Sequence, residues 1–338
     1  MARAKKTTIH DVARAANVSI TAVSHALNGK GTLSEQTRER IIHTAARIGY
    51  QADALARGLR NAPLGSIGVV YRSLDVLGEY FHPGVDAFSH TLSTMSALAL
   101  QRGYAPMILP DLTGTNIPTI SFALDGYVVI SPHRADPVVE LLRNRGIPYV
   151  TVGADPDRPE FTAWASEDDA ESCTHVLEHL RRQGARHPVL LRGADENAWN
   201  IDSERAYLSW CHKYDLSPRV YRLAEASGVG GAAELLPRIL GEGSVDAIYA
   251  MTARHACGVL HAATDLGLRV PHDLLVATGS DAESARFSRP AISAVQLNPD
   301  VVCADALDLL LEQISGQVSS GPRRCRAKFR ARGSTLRK

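Results

Sequence analysis

The chain has 338 residues, 45% hydrophobic and 22% charged, with a formal net charge of +1. That is ordinary globular composition, and the length suits two or three domains. No run of 18 apolar residues is present to span a membrane, and no apolar stretch follows Met1 as in a secretory signal. The near-neutral total hides an asymmetry. Residues 1–61 hold ten Lys/Arg against four Asp/Glu, a charge of +6, while the remainder holds 27 against 32, a charge of −5. A compact basic segment on a mildly acidic body suits a phosphate-backbone partner. The five cysteines, at 173, 211, 257, 303 and 325, form no C-x-x-C pair. They read as reduced thiols of a cytoplasmic protein.

The first elements are three short helices. Thr8 is an N-cap, with Asp11 placed to complete a capping box, and the helix Ile9–Ala16 stops at Asn17, which tolerates the left-handed conformation. Ser19 caps a second helix, Ile20–Asn28, and Ser34 caps a third, Glu35–Gly49. The three or four residues between the first two are the spacing of a helix-turn-helix. Val12, Ala13, Ala16, Val18, Val23, Ala26 and Leu27 supply a small core, to which the third helix adds Ile41, Ile42, Ala45 and Ile48. Ile20, Thr21, Ser24 and His25 fall on the opposite, small and polar side of the second helix, as a helix in a major groove requires. A three-helix domain that binds protein instead of DNA remains open on the pattern alone.

The phrases Thr8-Ile9-His10-Asp11-Val12-Ala13, Ala16-Asn17-Val18-Ser19, Val23-Ser24, Leu27-Asn28, Thr37-Arg38 and Gly49-Tyr50 resemble the DNA-binding headpiece of the LacI/GalR family of bacterial transcription regulators. The resemblance implies DNA contacts from Thr8, Ser19, Ile20, Thr21, Ser24, His25, Asn28, Thr37 and Arg38. It also implies that residues 51–62 form a hinge helix that pairs with its dimer mate, includes Ala56, and wedges Leu59 into the minor groove, kinking a base step. A helix that short is marginal alone and needs something to order it. Two positions depart from the family. Ala52-Asp53 replaces the usual Pro-Asn at the hinge entry, and His25 stands where arginine is common.

From Ser66 a β/α rhythm takes over. Strands are expected at Ser66–Tyr71, Ala105–Leu109, Asp125–Ile130 and Tyr149–Val152, with helices near residues 84–103 and 137–145. A second unit alternates helix Asp168–Gln183, strand Val189–Leu191, helix Ser203–Tyr214, strand Val220–Leu223, helix Gly231–Leu240, strand Ala247–Ala250, helix His255–Leu266 and strand Leu274–Thr278. Continuous apolar strands in this alternation argue for doubly wound parallel sheets. The fold class is therefore α/β: an all-α helix-turn-helix headpiece (1–50), a hinge (51–62) and a body (63–338). Looser phrases, among them Leu124-Asp-Gly-Tyr127 and Gly267-Leu-Arg-Val-Pro271, extend the resemblance along this body. They imply a periplasmic-binding-protein-like pair of subdomains, one of about 63–163 plus 293–322 and one of about 164–292 plus 323–338. Crossovers are expected near 162–166, 290–296 and 322–326. They also imply a homodimer that binds a pseudo-palindromic DNA operator, with no membrane partner, no cofactor and no enzymatic activity.

Ligands of such sheets sit at the carboxyl ends of the strands, here between the two units. The effector candidates are Tyr71, Arg72, Arg134, Asp168, Trp199, Arg205, Thr252, Arg254 and Asp281, since carboxylates, arginines and an aromatic face recognise sugars and related metabolites. The family's Asn-Asp after the Ala247–Ala250 strand is replaced by Thr252-Ala253-Arg254. That makes a phosphorylated or carboxylated ligand a reasonable expectation, with a regulator that ignores metabolites as the alternative. His175-x-x-Glu178-His179 matches an inverted zinc-peptidase motif, but it lies on an ordinary amphipathic helix with no third ligand in view.

Overall fold

A computed structural model of the chain describes residues 7–27, 31–48, 50, 64–72, 86–115 and 117–337, without the side chains of 86–88. Two compact units are present, Met1–Leu64 and Gly65–Lys338.

The first unit contains α1 (Ile9–Ala16), α2 (Ile20–Leu27) and α3 (Glu35–Arg47). The capping box forms: the Thr8 amide and hydroxyl both donate to Asp11 Oδ2, at 2.9 and 2.7 Å. Asn17 ends α1 at φ 53°. The Ala22 amide donates to Ser19 Oγ and the Thr37 amide to Ser34 Oγ, so both serines start their helices as expected. Val12, Ala13, Ala16, Val23, Ala26, Ile41 and Ala45 are buried together. Ile42 is a correction, since it is 46% exposed. The inward row of α3 is Ile41, Ala45 and Ile48, spaced four and three apart, and Ile42 lies a third of a turn away from it.

The second unit has two lobes. Strands β1 (Ser66–Tyr71), β2 (Ala105–Leu109), β3 (Gly126–Ile130), β4 (Tyr149–Val152) and β5 (Trp164–Glu167) alternate with α4 (Asp86–Gln101) and α5 (Pro137–Asn144). The second lobe runs α6 (Asp169–Arg182), β6 (Pro188–Gly193), α7 (Ala198–Lys213), β7 (Val220–Leu223), α8 (Gly228–Gly241), β8 (Ala247–Ala250), α9 (Ala253–Asp265), β9 (Leu275–Thr278), α10 (Glu283–Phe287) and β10 (Ser293–Gln296). The chain then returns as α11 (Pro299–Ile314), β11 (Arg323–Cys325) and β12 (Lys328–Arg330). The sheets are β2-β1-β3-β4-β5-β11, all parallel, and β7-β6-β8-β9-β10-β12, parallel except for the last pair.

This pairing puts the crossovers at 168, 297–298 and 326–327, the first two slightly later than the ranges expected from sequence and the third at the end of its range. β5 belongs to the first lobe because its backbone bonds go to β4 and β11. β10 stays in the second lobe beside β9 and β12. Both faces of each sheet are covered, so β3 and β8 are buried along their whole length, which is why they read as unbroken apolar runs. Gly68 has a packing reason: a Cβ there would lie 2.5 Å from the Tyr127 ring.

The arginine-rich end is spent inside the body. Arg323 pairs with Asp305 and Glu312, Arg326 with Glu171, and Arg337 donates to the carbonyls of Pro271 and Gln183. Of the zinc-like motif, Glu178 accepts from Trp210 and Tyr214, and His179 meets Thr335 Oγ1 at 2.7 Å. Among the described residues no helix is long and apolar enough to cross a membrane.

Candidate nucleic-acid interface and inter-lobe cleft

On α2, Val23 and Ala26 are buried while Ile20 and Thr21 are exposed, and Ser24 and His25 are partly so. Four adjacent side chains of mixed polarity are therefore offered on one face. Gly31 and Arg38 shape that face. Gly31 has φ +76°, and a Cβ on it would sit 2.4 Å from His25 Nδ1, so the imidazole rests against the bare glycine. Arg38 Nη1 donates to the His25 and Ala26 carbonyl oxygens at 3.3 Å each. Arg38 is thus a helix-end cap that fastens α3 to α2, and any phosphate contact falls to its remaining donors. The Thr37 hydroxyl accepts from Ser34 Oγ at 2.8 Å. Asn28, Ala56 and Leu59 lie outside the described residues.

Between the lobes lies a cavity of about 420 Å³. Its first-lobe wall is His90 and Thr91 of α4, Val152 and Glu167 at the ends of β4 and β5, and Pro299, Val302 and Cys303 of α11. Its second-lobe wall is Asp281, Glu283 and Arg286 around α10, with Gln296 and Leu297. Strand carboxyl ends thus meet there, where open α/β sheets bind ligands.

Of the nine residues expected in the cleft, Asp281 lines this cavity. Arg332 holds it in a two-pronged pair, Nη1–Oδ1 2.9 Å and Nη2–Oδ2 2.8 Å, with Arg286 at 3.4 Å. The other eight do other work. Arg72 is buried, its Nε and Nη1 each 2.7 Å from Asp136 and Asp111. Burial alone would lower the Arg72 guanidinium, but the two carboxylates outweigh it and hold it above its ordinary value. Asp168 and Thr252 are N-caps, accepting from the amides of Glu171 and His255. Tyr71 packs on the first-lobe core and Trp199 on a second-lobe core. Arg205 is 71% exposed and pairs with Asp202 on its own helix. Arg254 lies over Gly228, whose Cβ would fall 2.1 Å from the Arg254 Nη2.

Arg134 bridges the lobes. Its side chain is near Asp157 (3.2 Å) and Glu196 (3.7 Å), and its amide donates to the Glu196 carbonyl.

Reading the sequence missed His90, Thr91, Glu167, Arg286 and Gln296. One signal was available. Asn298-Pro299 is a helix-start pair, with proline at the first helical position, and it announces α11 right after Gln296. The strand β5, and with it Glu167, had no such mark beside the Asp168 cap.

Two family profiles match this chain: bacterial regulatory proteins of the lacI family over residues 8–53, and a periplasmic binding protein-like domain over residues 177–335. The HTH-type transcriptional regulator CelR of Thermobifida fusca is 25% identical over 332 residues, covering 94% of this chain and 95% of that protein. The catabolite control protein A of Staphylococcus epidermidis is 24% identical over 302 residues, 85% of this chain and 86% of that protein. Among solved structures, the lac repressor dimer bound to operator and the anti-inducer ONPF superposes with a TM-score of 0.78 at 20% identity, covering 98% of this chain and all of the other. The CelR–cellobiose complex superposes with a TM-score of 0.66 at 21% identity, covering 97% and 100%. These relatives are regulators and not enzymes. With its helix-turn-helix headpiece and two-lobed body, the chain is similar along nearly its whole length to the LacI-family bacterial transcription regulators.

Proposed function

We propose that this protein is a transcriptional repressor. It binds a pseudo-palindromic operator as a homodimer and is controlled by a small molecule held between the lobes. The observation that carries the DNA half is the exposed face of α2, where Ile20, Thr21, Ser24 and His25 stand opposite the buried Val23 and Ala26. Two such helices, one per protomer, fit successive major grooves. The basic residues of the first 61 positions supply the phosphate attraction, so affinity falls steeply with salt. Support for the ligand half comes from the cavity at the strand ends, and from neighbours that hold an anti-inducer and cellobiose. Ligand closing the cleft biases one lobe arrangement, and a differential affinity of a few kcal/mol is enough to switch DNA binding.

The test is a randomised-site selection with the full chain and its His25→Arg variant. Histidine makes a shorter, single contact where arginine grips guanine with two hydrogen bonds. The variant should move the preferred half-site toward guanine at one position, with a preference change of about 1–3 kcal/mol. An unchanged consensus would remove His25 from base reading. A companion variant, Leu59→Ala, should weaken the selected site strongly and random DNA little. Equal loss on both would sink the minor-groove wedge.

A further inference from the structure

The charges lining the inter-lobe cavity are unequal. Glu167, Asp281 and Glu283 face Arg286, and Arg332 stands behind Asp281. Both guanidiniums, Arg286 and Arg332, converge on Asp281. Glu167 has no ion-pair partner among the described residues. Its Oε1 accepts one hydrogen bond, from the Asn298 amide at 2.8 Å, at the first turn of α11. That helix end favours the charged carboxylate without neutralising it. The rest of the wall mixes the aliphatic Val152, Leu297, Pro299 and Val302 with His90, Thr91, Gln296 and Cys303. Arg254, the residue that would have welcomed an anion, is stacked on Gly228 and does not line the cavity.

Resting on the reading of this cleft as an effector site, we infer that its ligand is a small cation, a compact aliphatic or polyol molecule whose protonated amine pairs with Glu167. A shielded carboxylate lacking a counter-charge repels phosphate and carboxylate ligands and gains most from an ammonium donor. The aliphatic part of the wall takes the carbon frame. Burial also pushes the Glu167 carboxyl above its ordinary range. Amine binding therefore weakens as acid protonates Glu167, while binding of a neutral polyol does not.

The experiment is calorimetric titration of the full chain near neutral pH with matched probes: 1,4-diaminobutane against butane-1,4-diol, and glucosamine against glucose and glucose 6-phosphate. The amine member should bind roughly tenfold to a hundredfold tighter than its hydroxyl partner, the worth of one charge-assisted bond. Glu167→Gln should erase that preference and still fold, because its carbonyl keeps the Asn298 bond. Equal or tighter binding of a hydroxyl partner, or of the phosphate ester, overturns the cation and leaves the effector site standing. Silence from every probe, with a cooperative melt showing the body folded, removes both.

Discussion

Replacing Arg72 with alanine should cost the body about 3–5 kcal/mol, the range for stripping one partner from a buried ion pair. Arg72 is 7% exposed and the Asp136 side chain is fully buried. Asp136 also accepts from the amides of Val138 and His133, so it fixes the start of α5 and the loop before it. Without the guanidinium, a carboxylate with no water around it must be protonated or hydrated, and either route opens the structure. Asp111 tells the same story from the other side. Burial would raise its carboxyl, but hydrogen bonds from Thr113 and the pair with Arg72 hold it below its ordinary value. A depressed carboxylate contributes stability that is present above its unfolded value and lost as pH falls through the folded one. The Arg72→Ala body should therefore lose part of its acid sensitivity along with its stability. Arg134→Ala is the control. That side chain is 52% exposed, and its pairs are worth at most about 1 kcal/mol. Denaturant midpoints of the two variants decide the matter. Equal, small shifts would mean that the Arg72 network is solvated and that the arginine is free to meet ligand.

Arg72 and Arg134 also show where reading the sequence stops. Both follow the last residues of apolar strands, which is where a cleft arginine belongs, and nothing local distinguishes them. Their partners do: Asp136 is 64 residues from Arg72 in the chain, and Glu196 lies in the other lobe. Long-range pairing has no periodicity to read. Arg205 has a local partner instead, Asp202 three residues before it on one helix. Asp281 was legible as a cleft carboxylate, but its Arg332 lies 51 residues on, in a segment that looks like a basic tail.

The backbone was far more legible. Strands β1, β2, β4, β7 and β8 occupy the residues their apolar runs mark, and α1 ends at the residue Asn17 announces. Local chemistry sets those limits: the inner strands β1, β4 and β8 are buried almost throughout, while β2 and β7 are half-exposed edge strands, and helix ends need a cap. The strands β5 and β10 carry polar residues among their four, and β11 carries two arginines. They become strands through the neighbours that pair with them, so their lobe assignment had to come from tertiary structure.

Ile41→Ala should abolish operator binding while leaving the body intact. Among its described residues the headpiece buries seven apolar side chains, and only Val12, Val23 and Ile41 among them are larger than alanine. Ile41 is the largest, and it is fully buried. Truncating a buried isoleucine to alanine costs about 2–5 kcal/mol. A core this small supplies a net stability of only about 3–5 kcal/mol. The loss is comparable with the whole, so most headpieces would be unfolded at any moment. Apparent operator affinity then falls by the folded fraction, roughly tenfold to a hundredfold in each protomer. Because the headpiece and the body are separate compact units, the main thermal transition of the full chain should stay where it is. Excess operator should recover α-helical signal, since DNA binds only the folded form. Ile42→Ala is the internal standard: one residue along the same helix, 46% exposed, and expected to shift stability by less than about 0.5 kcal/mol. If both alanine variants bind operator alike, the small core of α1, α2 and α3 is not what holds the reading face of α2 in place.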